Sequence, residues 1–284
     1  MFRFVLPFLF AFVTAATAEP LRVFVSVAPI KTFVEKVGGA HVVVTTLVRP
    51  GESPQTFDPS PQQIAALARA QLYVRVNVPF EQVWMPRIRA ANPRMVVLDA
   101  TADIEPRALS AHEGHGDHPH ELDPHVWTSP LLARDIARSI RDQLIALDPA
   151  NADDFKRAYA AFADELVALD RDIRQWLAPL RSRRFMVYHP AWGYFADTYE
   201  LTQVPIEQAG KEPGAQSLVA LIRQARRDKV QVVFVQPQFD RRLAGRVAAA
   251  IGGRVVAVDP LAADYIANLR RVAQQFVHAM QESG

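Results

Sequence analysis

Three residues of metal-binding types stand where short apolar segments of the sequence end. His189 ends the stretch "FMVYH", Asp259 ends "VVAVD", and His125 lies in "DPHVW" just before an apolar pair. Two imidazoles and a carboxylate form a donor set of intermediate hardness, for which zinc is the first expectation. The three residues are far apart in sequence, so the fold decides whether they meet.

Each of these residues also has an ordinary structural interpretation. An Asp before a Pro commonly forms a turn or caps a helix, and a single histidine at the end of a strand can be a hydrogen-bonded core residue. Gln236, in "VQPQF", ends another apolar stretch in the same way. Residue types alone therefore leave the metal site as one of several alternatives.

Histidines are concentrated in one tract. The segment "HEGHGDHPHELDPH" at 112–125 contains five of the eight histidines of the chain. Pro124 restricts the backbone before His125, which is the tract residue that we predict as a ligand. Gly and Pro separate the other four, which predicts an accessory loop of low individual metal affinity formed by His112, His115, His118 and His120.

Composition and motifs exclude several other classes of function. The chain has no Cys, so any metal must be held by His, carboxylate or amide oxygen. Its 32 basic and 30 acidic residues are nearly balanced, without the concentrated basic patch that nucleic-acid binding needs. Motifs of zinc proteases, α/β-hydrolases, P-loop NTPases and dinucleotide-binding enzymes are missing. Glu207 and Glu212 have no evident nucleophile partner, so we expect no enzyme.

The first 18 residues have the pattern of a secretory signal peptide. Arg3 precedes an apolar run, and "ATA" comes just before Glu19, which predicts cleavage after Ala18. The apolar run is short for a membrane span. We therefore expect an exported, periplasmic protein that is soluble after cleavage.

The rest of the chain alternates between strand-like and helix-like segments. Such alternation predicts an α/β fold with mostly parallel sheets covered by helices. The alternation is interrupted once, where bulky apolar residues recur at steps of four and three from Phe155 to Leu180. This pattern predicts a long spine helix at 151–181, which joins an N-terminal lobe at 19–150 to a C-terminal lobe at 182–284. Two facing lobes create a cleft at the carboxyl ends of their strands.

Several ordered motifs resemble those of one family along essentially the whole chain. They are "DPHVWTSP", "VYHPAWGYFADTYEL", "AGKEPGAQSL", "VVFVQPQFD" and "VVAVDPL". The chain resembles the periplasmic solute-binding components of zinc and manganese ABC importers, the ZnuA-like and TroA-like proteins of cluster A-I. The resemblance implies two α/β lobes joined by a long helix, with the metal between them. It implies nitrogen ligands at His125 and His189 and an oxygen ligand at Asp259.

The resemblance also implies the cargo and the partner. Histidine at position 189, where manganese members tend to carry Glu, favours Zn²⁺ over Mn²⁺, as does the His-rich loop. The partner would be an ABC permease in the inner membrane, served by a monomer. Because metal-bound imidazoles pass their second N–H to an acceptor, we predict Asp123, Glu207 or Glu212 behind the ligands.

One departure from the family pattern lies at Gln55. The first ligand of the family is a histidine, whereas "RPGESPQTFDPSP" has Gln at that position. An amide oxygen is a weaker zinc ligand than imidazole, so Gln55, water or a tract histidine would complete the sphere. Three rival functions stay open: binding of Mn²⁺, Fe²⁺ or a metal chelate, metal buffering outside a transporter, and hydrolysis by a three-ligand zinc site.

Overall fold

The structure, a computed structural model, describes residues 19–109, 122–207 and 210–281. The predicted signal peptide at 1–18 lies outside the described residues. The predicted accessory histidines of the tract lie outside them as well, namely His112, His115, His118 and His120. Within the described ranges, no helix is both long enough and apolar enough to cross a membrane.

Four parallel strands form the sheet of the N-terminal half, in the order β2-β1-β3-β4. The central strands consist largely of buried Val, Leu and aromatic residues, as expected for a sheet covered on both faces. The strands are β1 Leu21–Val25, β2 Val42–Thr46, β3 Leu72–Arg75 and β4 Val96–Asp99, and the helices between them are α1 Ala28–Gly38, α2 Pro61–Leu67 and α3 Pro79–Ala91.

The C-terminal half repeats this topology with a second parallel sheet, in the order β6-β5-β7-β8. The chain leaves β5 to one side and returns to β7 on the other, so a crevice opens between the carboxyl ends of these two strands. The strands are β5 Arg184–Val187, β6 Thr202–Pro205, β7 Val232–Val235 and β8 Arg254–Ala257, and the helices are α6 Gly193–Thr198, α7 Ala215–Arg227, α8 Arg241–Ala250 and α9 Tyr265–Gln281.

A long helix connects the two halves. After α4 (Pro130–Leu147), the helix α5 runs over Ala152–Leu177, 26 residues. It packs against α1 and α4 of the N-terminal half and against α9 of the C-terminal half. At about 1.5 Å per residue it extends roughly 39 Å. Its buried face is the apolar stripe read from the sequence, including Phe155, Phe162, Leu166, Leu169 and Ile173.

The hydrophobic core is continuous across both halves. One cluster extends from β1 and β3 through α4 and α5 to Phe276 on α9, and a smaller cluster lies against β5, β7 and α8. The predicted fold class, two parallel α/β lobes with a long joining helix, is confirmed. The limits that we predicted for the lobes and the spine, 19–150, 151–181 and 182–284, stay predictions.

Candidate metal site

His189 lies at the carboxyl end of β5, beside the crevice. The backbone N–H of Tyr188 donates to Phe234 on β7 at 2.8 Å, which extends the sheet up to the histidine. The side-chain Nε2 of Gln236, which follows β7, donates to the His189 carbonyl oxygen at 2.8 Å. Strand pairing and this side chain together fix the backbone from which the imidazole projects.

The ring of His189 is buried and has a carboxylate behind it. Its Nδ1 lies 3.1 Å from Oε2 of Glu207, which follows β6, and Phe239 stacks on the ring at 5.0 Å. Burial lowers the pKa of His189, and the hydrogen bond to Glu207 only partly opposes this effect. A neutral ring with its hydrogen on Nδ1 leaves the Nε2 lone pair free for a metal ion.

His125 lies in the N-terminal half, just before a single 3-10 turn, Val126–Thr128. Both its backbone N–H and its Nδ1 contact Oδ1 of Asp123, at 2.9 and 2.8 Å. The next residue but one, Trp127, ties this segment to the other half, because its Nε1 donates to the carbonyl oxygen of Pro260 at 2.7 Å. His125 is therefore positioned by its own half and by the C-terminal half.

Asp123 has an ionic partner of its own. Its side chain is fully buried, and its Oδ2 accepts a hydrogen bond from Arg107 at 2.7 Å. Burial alone would raise the pKa of Asp123, but the hydrogen bonds from His125 and Arg107 outweigh it and hold this pKa below its usual value. Asp123 is thus a carboxylate that accepts the Nδ1 hydrogen of His125 and leaves Nε2 free.

The two imidazoles lie next to each other across the boundary between the lobes. Their ring centroids are 5.2 Å apart at an interplanar angle of 73°. The side-chain nitrogen of Gln55 lies 3.3 Å from both ring nitrogens of His189. Because the two distances are equal, the Gln55 amide lies across the ring and is not in line with either lone pair.

Asp259 has partners other than the two histidines. Its Oδ1 accepts from Nε2 of Gln238 at 3.1 Å and from the backbone N–H of Leu261 at 2.9 Å. It lines a second, adjoining cleft, which shares Gln238 and Leu261 with the cleft of the histidines. In the described ranges, no three His, Cys, Asp or Glu side chains are close enough together to hold a metal ion.

The cleft around the histidines has a mainly apolar wall with a few polar groups. The cleft is partly open, and the space between its walls, counted together with adjoining open solvent, is about 500 Å³. Its polar side chains come from Ser53, Gln55, His125, His189, Gln236 and Gln238, and the remainder of its wall includes Val78, Pro79, Leu109 and Phe239. Such a concave, mostly apolar pocket with a few convergent polar groups is typical of a small-ligand site.

The predicted residues thus fall into three groups. His125, His189 and Gln55 are brought together, with Asp123 and Glu207 behind the two histidines. Asp259 is near but bonded elsewhere. Glu212 is exposed and accepts a hydrogen bond from the Tyr188 hydroxyl at 3.4 Å. Burial, followed by the charge of Glu212, raises the pKa of Tyr188 to about 12.

Sequence reasoning missed the side chains that hold these groups in position. Arg107 lies in no recognised motif, and Gln238 and Phe239 lie in the motif "VVFVQPQFD" without any role that it indicates, since their roles depend on partners distant in sequence. Gln236 was noted at the end of a strand, but its hydrogen bond to the His189 backbone was not foreseen. The sequence gives no signal for this bond, because it depends on the pairing of β7 with β5 in the folded chain.

Known proteins with a similar sequence and fold include proteins named for zinc binding and zinc uptake. The profile of the family described as zinc-uptake complex component A, periplasmic, matches residues 23–279. The zinc-binding lipoprotein AdcA of Streptococcus pneumoniae is 28% identical over 85% of the chain, and the chain spans about half (50%) of that protein's length. The high-affinity zinc uptake system protein ZnuA of Bacillus subtilis is 27% identical over 86% of this chain and 79% of its own.

A solved structure agrees with these relatives. A crystal structure of a ZnuA deletion mutant with zinc bound is 40% identical, with a TM-score of 0.86, and the match covers 92% of this chain and 98% of that one. The match therefore includes both lobes and the long helix. The chain belongs to the family of periplasmic zinc-uptake complex A components.

Proposed function

We propose that this protein captures Zn²⁺ between its two lobes and delivers it to an ABC permease for import. The ion is cargo and undergoes no chemistry. His125 of the N-terminal lobe and His189 of the C-terminal lobe each donate Nε2. The observation that carries the proposal is the juxtaposition of these rings, each with a carboxylate on its Nδ1.

The separation of the rings fits a single zinc ion. With Zn–N bonds of about 2.0–2.1 Å, the centroid of a coordinated imidazole lies roughly 3.2 Å from the metal. Two such rings at a tetrahedral angle have centroids about 5.2 Å apart, and the rings of His125 and His189 are 5.2 Å apart. The separation of the two rings is therefore compatible with both of them binding one ion.

Oxygen donors complete the coordination sphere in this proposal. Gln55 already contacts His189, and a half-turn of its amide brings Oε1 to the place that the nitrogen now occupies. Asp259 reaches the ion once it exchanges its hydrogen bond with Gln238 for the metal. The charge of its carboxylate is then neutralised by the cation. Water or a tract histidine takes any position that remains.

Export, the partner and the monomeric state belong to the same proposal. Cleavage after Ala18 would release the protein into the periplasm, where it would act as a monomer and meet the permease. Since α5 packs against helices of both lobes, we expect small adjustments of lobes and loops on binding. A wide hinge motion would require the hydrophobic core that both lobes share to come apart.

Calorimetric titration with zinc chloride tests the proposal. We expect the protein from Glu19 onward to bind one zinc ion at neutral pH, and His189→Ala to weaken binding by more than about a hundredfold, since one of two nitrogen ligands is lost. The matched control is His41→Ala. His41 also has a carboxylate partner, Asp154 at 2.9 Å, but does not line the cleft.

Each result has a definite meaning. Unchanged binding by the control with weakened binding by His189→Ala supports the cleft as the site. No heat of binding with the wild type, or equal losses in both variants, contradicts it. Zinc uptake by membrane vesicles that contain the cognate permease then tests delivery. Uptake that does not depend on the added protein would contradict that part.

A further inference from the structure

One arginine outside the cleft connects the two lobes behind His125. The guanidinium of Arg107 donates from one nitrogen to Oδ2 of Asp123 at 2.7 Å and from Nε to Oδ2 of Asp197 at 2.9 Å. Asp197 lies on α6 of the C-terminal lobe. The guanidinium also lies 5.7 Å from the ring centroid of Tyr194 on the same helix.

The two carboxylates differ in exposure, and therefore in how far their hydrogen bonding depends on Arg107. The Asp197 side chain is 60% exposed, so water can replace the arginine there. The Asp123 side chain is fully buried, with Oδ1 used by His125 and Oδ2 used by Arg107. Without the arginine, a buried carboxylate oxygen would lack a donor, and the group would move or rotate to find one.

A glycine makes room for this arrangement. A Cβ atom at Gly193, the first residue of α6, would lie 1.5 Å from the Arg107 guanidinium and 2.5 Å from Oδ2 of Asp123. Any side chain at this position must therefore push the arginine away from the carboxylate. Because Gly193 does not have a positive φ, its lack of a side chain matters here for space and not for backbone conformation.

The backbone of Arg107 also lies beside the segment that contains Asp123. Its carbonyl oxygen accepts the backbone N–H of Asp123 at 2.9 Å, and Ala108 pairs with Leu122 in an isolated bridge. Arg107 thus contacts both the backbone and the carboxylate of Asp123. His125 follows Asp123 by two residues, so the position of Asp123 also affects that of His125.

We propose that Arg107 is a positioning residue of the zinc site. It fixes the position of Asp123, so that the carboxylate accepts the hydrogen bond from Nδ1 of His125 and Nε2 of the ring faces the cleft. This inference rests on the proposed function and adds to it a residue that does not touch the ion. It follows that changes near the surface between α6 and residue 107 alter zinc affinity through the orientation of one histidine.

Four variants test the proposal by zinc titration. We expect Arg107→Ala to weaken zinc binding about 10- to 100-fold, as is usual for partners behind metal ligands, and Arg107→Lys to restore most of it. Gly193→Ala should weaken binding in the same direction although it removes no charge. Asp197→Asn, which removes only the exposed partner of the same arginine, should stay within about twofold.

A spectroscopic measurement separates positioning from general damage. In the zinc-free protein, a hydrogen-bonded Nδ1 proton of His125 should appear in proton NMR and disappear in Arg107→Ala, while the Nδ1 proton of His189 remains. Loss of both signals, or zinc affinity within twofold of wild type in Arg107→Ala, overturns the inference. Because this signal needs no zinc, failure of the proposed function can be told apart from failure of the inference.

Discussion

The two histidines of the cleft have the same immediate partner and different surroundings. Each imidazole has a carboxylate on Nδ1, Asp123 for His125 and Glu207 for His189. Asp123 is paired with Arg107 in a network that reaches the surface. The ring of His189 lies in an apolar setting, with Phe239 stacked on it. His125 is therefore positioned mainly by ionic contacts, and His189 is positioned mainly by burial. We call His125 with Asp123 and Arg107 the ionic arm of the site, and His189 with Glu207 and Phe239 the apolar arm.

This difference indicates which lobe positions each histidine. The apolar arm, at the end of β5, is fixed by strand pairing and by Gln236, so the position of His189 depends on the C-terminal lobe alone. The ionic arm depends on groups from both lobes. A site built in this way can bind an ion tightly and still respond to a change at the lobe boundary.

The largest expected effect is on the stability of the protein, and it differs between substitutions in the ionic arm and in the apolar arm. Asp123→Ala should lower the free energy of unfolding by about 3–5 kcal/mol, because Arg107 and both the backbone N–H and Nδ1 of His125 lose their shared acceptor. Glu207→Ala should lower it by about 1–3 kcal/mol, because it removes only a hydrogen bond to a neutral ring. Urea denaturation of the zinc-free variants measures both. Equal losses would contradict the division into an ionic and an apolar arm.

A pH titration of stability addresses the apolar arm. Burial holds the pKa of His189 below that of the unfolded chain, which is about 6.5. Below that pH the unfolded state takes up a proton that the folded state refuses, so stability contributed by this residue is present at neutral pH and lost as the pH falls. The melting temperature of the zinc-free protein should therefore decrease from pH 7 to pH 5.

The matched variant for this titration is His189→Gln, which has no titrating ring. Its melting temperature should depend less steeply on pH over the same range. A slope identical to that of the wild type would mean that His189 contributes nothing to the pH dependence, and that its setting is less apolar than its burial indicates.

The smallest effect concerns the stacked ring. Phe239→Leu keeps an apolar side chain but removes the stacking on His189, which is worth about 0.5–1.5 kcal/mol. We expect a similar loss of unfolding free energy and a zinc affinity lowered by less than about tenfold, as that energy permits. An effect as large as that of Asp123→Ala would show that stacking, and not the ionic network, dominates the positioning of the site.

The sequence predicted most of the fold because its signals are local. Strand and helix alternation, and the stripe from Phe155 onward, depend only on neighbouring residues. Helix α3 contains Pro86, and it is nevertheless one continuous helix. Pairing order and register depend on distant contacts, and the sequence pattern left them open.

The site was predictable at the ligands and not behind them. His125 and His189 stand at recognisable positions, and the carboxylates near them follow from general metal-site chemistry. Arg107 carries no such signal, and the motif that contains Gly193 does not indicate its role, since the spacing of both residues to Asp123 exists only in the folded chain. Asp259 illustrates the same limit, because its hydrogen bond with Gln238 depends on two separate loops.

The central claim is that one zinc ion lies between His125 and His189, and anomalous diffraction from zinc-soaked crystals tests it most directly. The account predicts a single strong peak about 2.0–2.1 Å from Nε2 of each histidine, with Asp123 and Glu207 still on the Nδ1 atoms. A peak bound by only one of the two rings, or zinc found only outside the cleft, would contradict it.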